Sequence, residues 1–218
     1  PDRWRYVSEH FSKFGLNNKV KRFSAVDVRD DPELQGHEKL LQDNFSLLAM
    51  CGCMLSHRTI IENAKSTGLK NILVFEDDIR ILPENISGLR KSLKDLENSD
   101  WDVFYLGATY RWSLERVGSY LVRVPNGAYA THAIAYNHTV YDQVLDLLPS
   151  NSMEYIESSD LEINALDKWL QSDFFNHAKF FGTNPIMVVQ GLQESDIAFK
   201  QKGGIDQRQI SLFEENID

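Results

Sequence analysis

Cysteine, proline and positive charge are all scarce in this 218-residue chain. The two cysteines, Cys51 and Cys53, lie one residue apart in an apolar, helix-like segment, where geometry disfavours a bridge between them. They read as small core residues and give no sign of a disulfide-built scaffold. Lys and Arg total 23 against 32 Asp and Glu, a formal charge of -9. That balance argues against nucleic acid or an anionic membrane as the main partner, so an anionic ligand must be held locally, by a metal or a few placed groups. No apolar run approaches transmembrane length, and no apolar targeting segment precedes Pro1. Internal repeats and low-complexity linkers are also lacking. What is present is 42% hydrophobic content, enough for a sizeable core in one domain over residues 1–199, with 200–218 as a loosely held tail.

The segment hardest to explain structurally is Asn71-Ile72-Leu73-Val74-Phe75-Glu76-Asp77-Asp78, an apolar run ending in three carboxylates. It reads as a strand buried on both faces of a largely parallel sheet, whose carboxyl end is where open α/β sheets place their ligand crevice. Adjacent acids repel unless a cation sits between them, and a divalent ion carrying a phosphorylated ligand would fill that role. Side chains alternate along a strand, so Glu76 and Asp78 point one way and Asp77 the other, which assigns the metal to Glu76 and Asp78. The bland alternative is a solvated strand end, or acids capping a turn before Pro83.

Helical spacing of Trp4, Val7, Phe11 and Phe14 predicts a helix over residues 3–14, stopped by Gly15. Residues 20–26 read as a strand and Asp27 to Asp43 as a long polar loop. Residues 46–66 read as an apolar helix, with Gly52 in its middle at a cost of about 1 kcal/mol relative to alanine unless another backbone approaches closely. A helix over 86–97 and a buried strand over 102–107 complete a βαβ pattern. Alternation near 120–124 and 130–136 adds strands of antiparallel character, which makes the sheet mixed. Helices over 139–148 and 160–171 and a strand over 186–189 follow. Ser56 and His57, one helix before the acidic strand, could lie beside the carboxylates, although a helical His is more often a satisfied or exposed side chain.

Taken in order, Pro1-Asp2-Arg3-Trp4, Phe23-Ser24-Ala25-Val26-Asp27, Gly52-Cys53-Met54-Leu55-Ser56-His57, Leu73 to Asp78, and Trp101-Asp102-Val103-Phe104-Tyr105-Leu106-Gly107 resemble the family-25 glycosyltransferases. That family contains lipooligosaccharide and procollagen galactosyltransferases. Gly127-Ala128-Tyr129-Ala130, Leu166-Asp167-Lys168-Trp169-Leu170, and Val188-Val189-Gln190 followed by Ser195-Asp196-Ile197 resemble its later blocks. The resemblance implies an α/β fold of GT-A type, a Rossmann-like mixed β-sheet flanked by helices. It implies metal-dependent, inverting transfer of a hexose, commonly galactose from UDP-galactose, onto a glycan or protein-linked hydroxyl, with manganese or magnesium on the acidic motif.

Under that resemblance Arg3 lies near the donor pyrophosphate, Ser56, His57 and Asp77 join it in holding the donor, and Asp77 orients neighbours or touches the ribose. Asp167 or Asp196 supplies the general base, with Asp160 and Glu162 also within reach. Asp167 has an alternative as an exposed helical acid, and Asp196 as a turn cap with Ser195. Tyr110 and Trp112, in a loop after Gly107, are acceptor-side candidates, whereas Trp101 and Tyr105 read as packing. The family's chain begins with a strand before the Pro-Asp-Arg-Trp segment, so part of the nucleotide pocket is expected to be absent from a chain starting at Pro1. Two other readings stand beside the transferase: a non-catalytic nucleotide-sugar or carbohydrate-binding module, and a phosphate-transferring enzyme, whose lysine and threonine set cannot be assembled here. The unpaired cysteines tilt the location toward the cytoplasm, with the secretory lumen as the alternative for a collagen-type enzyme.

Overall fold

A computed structural model of the chain describes residues 2–34, 45–158, 165–171 and 177–191. Its helices are α1 (Asp2–Lys13), α2 (Phe45–Ser66), α3 (Ile86–Glu97), α4 (Tyr141–Leu147), α5 (Ser152–Ser158) and α6 (Leu166–Leu170). Its strands are β1 (Asn71–Phe75), β2 (Ile79–Ile81), β3 (Val103–Thr109), β4 (Glu115–Arg116), β5 (Leu121–Arg123), β6 (Tyr129–Asn137), β7 (Phe180–Thr183) and β8 (Val188–Gln190).

The period-2 alternation of strand side chains divides the core into two layers. From β3, Val103 and Tyr105 enter one apolar cluster with Ile134 and Tyr136 of β6, Phe180 of β7, Met54 and Ile61 of α2, Val144 of α4 and Tyr155 of α5. Their neighbours Phe104, Leu106, Ala133, Ala135 and Phe181 face the other way, onto Val7 and Phe11 of α1, Leu96 of α3, and Ile79 and Ile81 of β2. The result is the Rossmann-like mixed α/β architecture expected, a six-stranded sheet in the order β1-β6-β3-β7-β5-β4 between helical layers. A separate two-stranded sheet pairs β2 with β8. Among the described residues no helix is long and apolar enough to cross a membrane.

Several local expectations change. The acid-ended strand β1 is not buried between parallel neighbours: among the described residues it pairs on one side only, antiparallel to β6, and Leu73 is 43% exposed. The β3·β7 pair is parallel, whereas the other pairs in this sheet are antiparallel. Both β1 and β3 run antiparallel to β6, so the β1-α3-β3 crossover does join parallel strands, with β6 between them. Residues 20–26 form no strand. Residues 21–25 are exposed, and the Val26 N–H is taken by the Ser56 hydroxyl at 2.8 Å instead of a sheet partner. The polar stretch after Asp27 makes 3-10 turns at Val28–Asp30 and Pro32–Leu34. Of the expected 160–171 helix, the described part is Leu166–Leu170, while 159–164 and 200–218 lie outside the described residues.

Helix α2 carries Gly52 for the reason its cost demands. A Cβ there would stand 2.6 Å from the Val26 carbonyl oxygen, so the 20–26 segment crosses the helix at backbone contact. Gly52→Ala should therefore destabilise despite the better helix propensity of alanine. Overpacking costs about 1–3 kcal/mol against a propensity gain of about 1 kcal/mol, so the urea midpoint should fall. A raised midpoint would contradict the close approach.

Candidate active site at the acidic end of β1

Strand geometry ends at Phe75, but the ladder continues one residue further, because the Glu76 N–H donates to the His132 carbonyl at 3.0 Å. Asp77 and Asp78 then occupy a turn into β2. Asp78 is pinned by a segment distant in sequence: its carbonyl accepts the Gly191 N–H, and a Cβ at Gly191 would lie 2.9 Å from that carbonyl oxygen. The two-stranded sheet of β2 and β8 thus fixes where the last acid sits.

Arg3 supplies a cation to two of the three acids. Its guanidinium lies 2.7 Å from Asp77 and 3.5 Å from Asp78, whose side chain is only 4% exposed. Arg3 is therefore at the acidic motif, and the two acids that share it are Asp77 and Asp78; the alternation expected to aim Glu76 and Asp78 together does not hold, because the strand ends at Phe75 and the last two acids lie in a turn.

Glu76 has different company. Its carboxylate accepts a long hydrogen bond from the Thr131 hydroxyl at 3.4 Å. One of its oxygens, the Cys53 sulfur and a His57 ring nitrogen all lie within 4.8 Å of one another. Desolvation, then the nearby Asp78 charge, push the Glu76 carboxyl up to about 8 against the Thr131 hydrogen bond, with Asp77 a smaller cause. Burial, then the charges of Glu76, Asp167 and Asp78, push the Cys53 thiol far up. Burial lowers His57 to about 4, so it is neutral at physiological pH, and one ring nitrogen, Nδ1, lies 3.2 Å from the Tyr136 hydroxyl.

Asp167 reaches this neighbourhood through the backbone. Ala130 adopts φ 60, a left-handed conformation that costs a residue with a Cβ of order 1–3 kcal/mol. Its N–H donates to Asp167 Oδ2 at 3.0 Å, while Asp167 Oδ1 accepts from the Lys168 N–H at 2.9 Å. The carboxylate is thus positioned, one residue from Thr131. Asp196, and the alternatives Asp160 and Glu162, lie outside the described residues.

Ser56 is spent on structure: its hydroxyl donates to the Gly52 carbonyl at 2.6 Å and accepts the Val26 N–H. Tyr110 is not on an acceptor surface, because its hydroxyl donates to the Thr183 carbonyl at 3.2 Å and burial pushes that hydroxyl far up. Asp102 of the Trp-Asp-Val-Phe block holds the sheet end, accepting from the Thr139 hydroxyl and the Lys179 N–H. Trp101 packs edge-on to Phe104, and Tyr105 stacks on Phe180.

Two contributors are not evident from sequence. Cys53 reads as core filling, although its i,i+4 spacing from His57 puts both on one face of a helix. Thr131 carries no sequence signal, because only the β1·β6 register brings it to Glu76.

Residues 1–180 match the family model for glycosyltransferase family 25 (LPS biosynthesis protein). The inactive glycosyltransferase 25 family member 3 of Homo sapiens is 41% identical over 94 residues, which is 42% of this chain and 15% of that protein. Its probable inactive counterpart in Bos taurus is 34% identical over 95 residues, with the same shares of 42% and 15%. A glycosyltransferase 25 family member of Aedes aegypti is 30% identical over 118 residues, 49% of this chain and 19% of the relative. The chain thus matches 15% to 19% of the length of these relatives.

The raised Glu76 carboxyl has a definite pH signature. Its folded-state value near 8 lies above the ordinary 4.5, so the folded protein holds the extra proton and the associated stability is full below about 4.5 and lost as pH rises through about 8. The depressed histidines act oppositely, His57 and His132 removing stability as pH falls from 6.5 toward 4. Between pH 6.5 and 8, in chelator, the melting temperature should fall, and Glu76→Gln should flatten that fall. An equal slope in the variant would show that Glu76 does not carry the proton.

Proposed function

We propose, from the premise that this chain belongs to glycosyltransferase family 25, that it transfers a hexose, galactose first among the candidates, from a UDP-sugar to a hydroxyl of a glycan or protein-linked acceptor. The observation that carries this reading is the run of Glu76, Asp77 and Asp78 at the end of β1, with Arg3 on the last two and the Asp167 carboxylate on the Ala130 N–H, one residue from the Thr131 that meets Glu76. Glycosyl transfer needs such a set: acids to hold a cation against the leaving diphosphate, and one to take a proton from the acceptor.

The donor set suits a divalent cation. Glu76 and Asp78 offer hard oxygen ligands of the kind manganese and magnesium prefer. Burial first and the Asp78 charge second raise the Glu76 carboxyl to about 8, so a cation held between the two acids would displace that proton. When bound there, the cation would offset the charge that develops on the departing diphosphate. Arg3 already bridges Asp77 and Asp78. Its pair with Asp77 joins groups 32% and 52% exposed, the kind of surface pair that stabilises little and for which a pyrophosphate would compete. Asp77, the more exposed of the two, is the acid left for the ribose. His57 contributes a neutral ring rather than a charge.

Asp167 is the base in this reading. Its two oxygens are aimed by the Ala130 and Lys168 N–H groups, and an ionised carboxylate accepts only, so it can take the acceptor hydroxyl proton. As that oxygen bonds to the anomeric carbon, the bond to the diphosphate oxygen breaks on the opposite face, which inverts the configuration. Asp196 keeps its place as the second candidate base. The free thiols of Cys51 and Cys53 support a cytoplasmic site of action.

A second reading, a nucleotide-sugar or carbohydrate-binding module without turnover, draws on the printed names of the human and bovine relatives, which call those proteins inactive and probable inactive. Incubating the protein with a panel of UDP-sugars, Mn2+ and simple glycan acceptors separates the two. The transferase reading expects acceptor-stimulated UDP release that drops on the order of 100-fold or more in Asp78→Ala and in Asp167→Asn, with UDP binding kept in Asp167→Asn. Tight UDP-sugar binding without UDP release would favour the binding module.

A further inference from the structure

Beside the candidate base lies a surface feature that donor chemistry does not use. Trp112, 41% exposed, stacks on Tyr129 with ring centroids 5.5 Å apart at 26°. The Arg111 guanidinium sits 4.3 Å from the centre of the same Tyr129 ring. The Lys168 ammonium lies 5.1 Å from it and 3.4 Å from the Tyr129 hydroxyl. Two cations therefore converge on one aromatic ring, and neither has an acidic partner among the described residues.

From this cluster we infer that the Arg111, Trp112, Tyr129 and Lys168 platform binds an acceptor saccharide carrying a carboxylate or phosphate, and that it selects acidic acceptors over neutral ones. The outer face of the exposed Trp112 indole can take the C–H face of a sugar ring. A guanidinium and an ammonium anchored on the same Tyr129 ring can supply charge-assisted hydrogen bonds to an anionic substituent. Placement points to the acceptor. Tyr129 immediately precedes Ala130, whose N–H holds Asp167, and Lys168 immediately follows Asp167. A sugar stacked on the platform is thus flanked on both sides of the chain by the residues that aim the base. Because the acceptor role of this surface rests on the transferase reading above, its test must be able to fail separately from that reading.

Calorimetric titrations with lactose, lactose 6′-phosphate and 3′-sialyllactose provide the test, with UDP plus Mn2+ titrated into the same samples. The phosphorylated and sialylated sugars should each bind about tenfold or more tightly than lactose, the effect expected of one charge-assisted contact. In an Arg111→Gln/Lys168→Gln double variant both should weaken to the level of lactose, with lactose and UDP binding unchanged. Trp112→Ala should weaken all three sugars, and circular dichroism checks that each variant is folded. A preference for only one of the two acidic sugars would identify which anion the site takes. No preference for either, or a preference that survives the double substitution, would overturn the inference. Loss of UDP binding in the double variant would assign the cations to the donor diphosphate and overturn it equally. Failure of the wild-type protein to bind or release UDP, with the acidic preference intact and lost in the double variant, would remove the transferase reading and leave the saccharide site standing.

Discussion

Everything at this site depends on how three carboxylates in a row are made tolerable at the end of a strand. Like charges this close cannot all stay ionised in a partly dry environment without compensation. The fold compensates in two ways. Arg3, delivered by the first turn of α1, lies between Asp77 and Asp78. Glu76, turned toward α2 and β6, responds by holding its proton up to about pH 8. One acid pair shares the Arg3 cation, and the remaining acid would give up its proton to an arriving cation. The half-exposed Arg3–Asp77 pair is worth roughly 0–1 kcal/mol, whereas the Arg3 contact with the buried Asp78 carboxylate is the one that offsets a desolvated charge.

The second organising constraint is the antiparallel pairing of β1 with β6. The register sets Phe75 opposite Ala133 and carries the N-terminal end of β6 past the acids. Thr131 then meets Glu76, Ala130 is forced into its left-handed conformation beside Asp167, and Tyr129 comes out at the surface between Trp112 and Lys168. A central strand that is buried over most of its length thus serves three adjacent functions at one end. Gly107, where a Cβ would lie 2.3 Å from the Val188 carbonyl oxygen and 2.6 Å from the His132 ring, lets β8 and β3 close beneath that end.

Much of this was legible in the chain, for identifiable physical reasons. The α2 helix and the need for a close neighbour at Gly52 follow from periodicity and from the cost of glycine, and Val26 is the neighbour. The 102–107 run announces a buried strand because Val103 through Leu106 face apolar layers on both sides. The same logic misplaced β1, since an apolar run cannot say on how many sides a strand is paired. Residues 20–26 alternate like a strand but have no ladder to join. Tyr110 looked like a loop aromatic, whereas its hydroxyl belongs to the β7 backbone. Ser56, Thr131 and the Ala130–Asp167 bond depend on contacts between residues 30, 55 and 37 positions apart, and no local pattern encodes such distances.

The proposed pairing of Glu76 and Asp78 as a divalent-cation site completed by a nucleotide diphosphate can be read by electron paramagnetic resonance of Mn2+ titrated with the protein, with and without UDP. The free Mn2+ signal should fall markedly further with protein and UDP together than with UDP alone, and Asp78→Asn should abolish the difference. A signal that stays at the level of UDP alone with folded wild-type protein, or one that falls equally with Asp78→Asn, would contradict it.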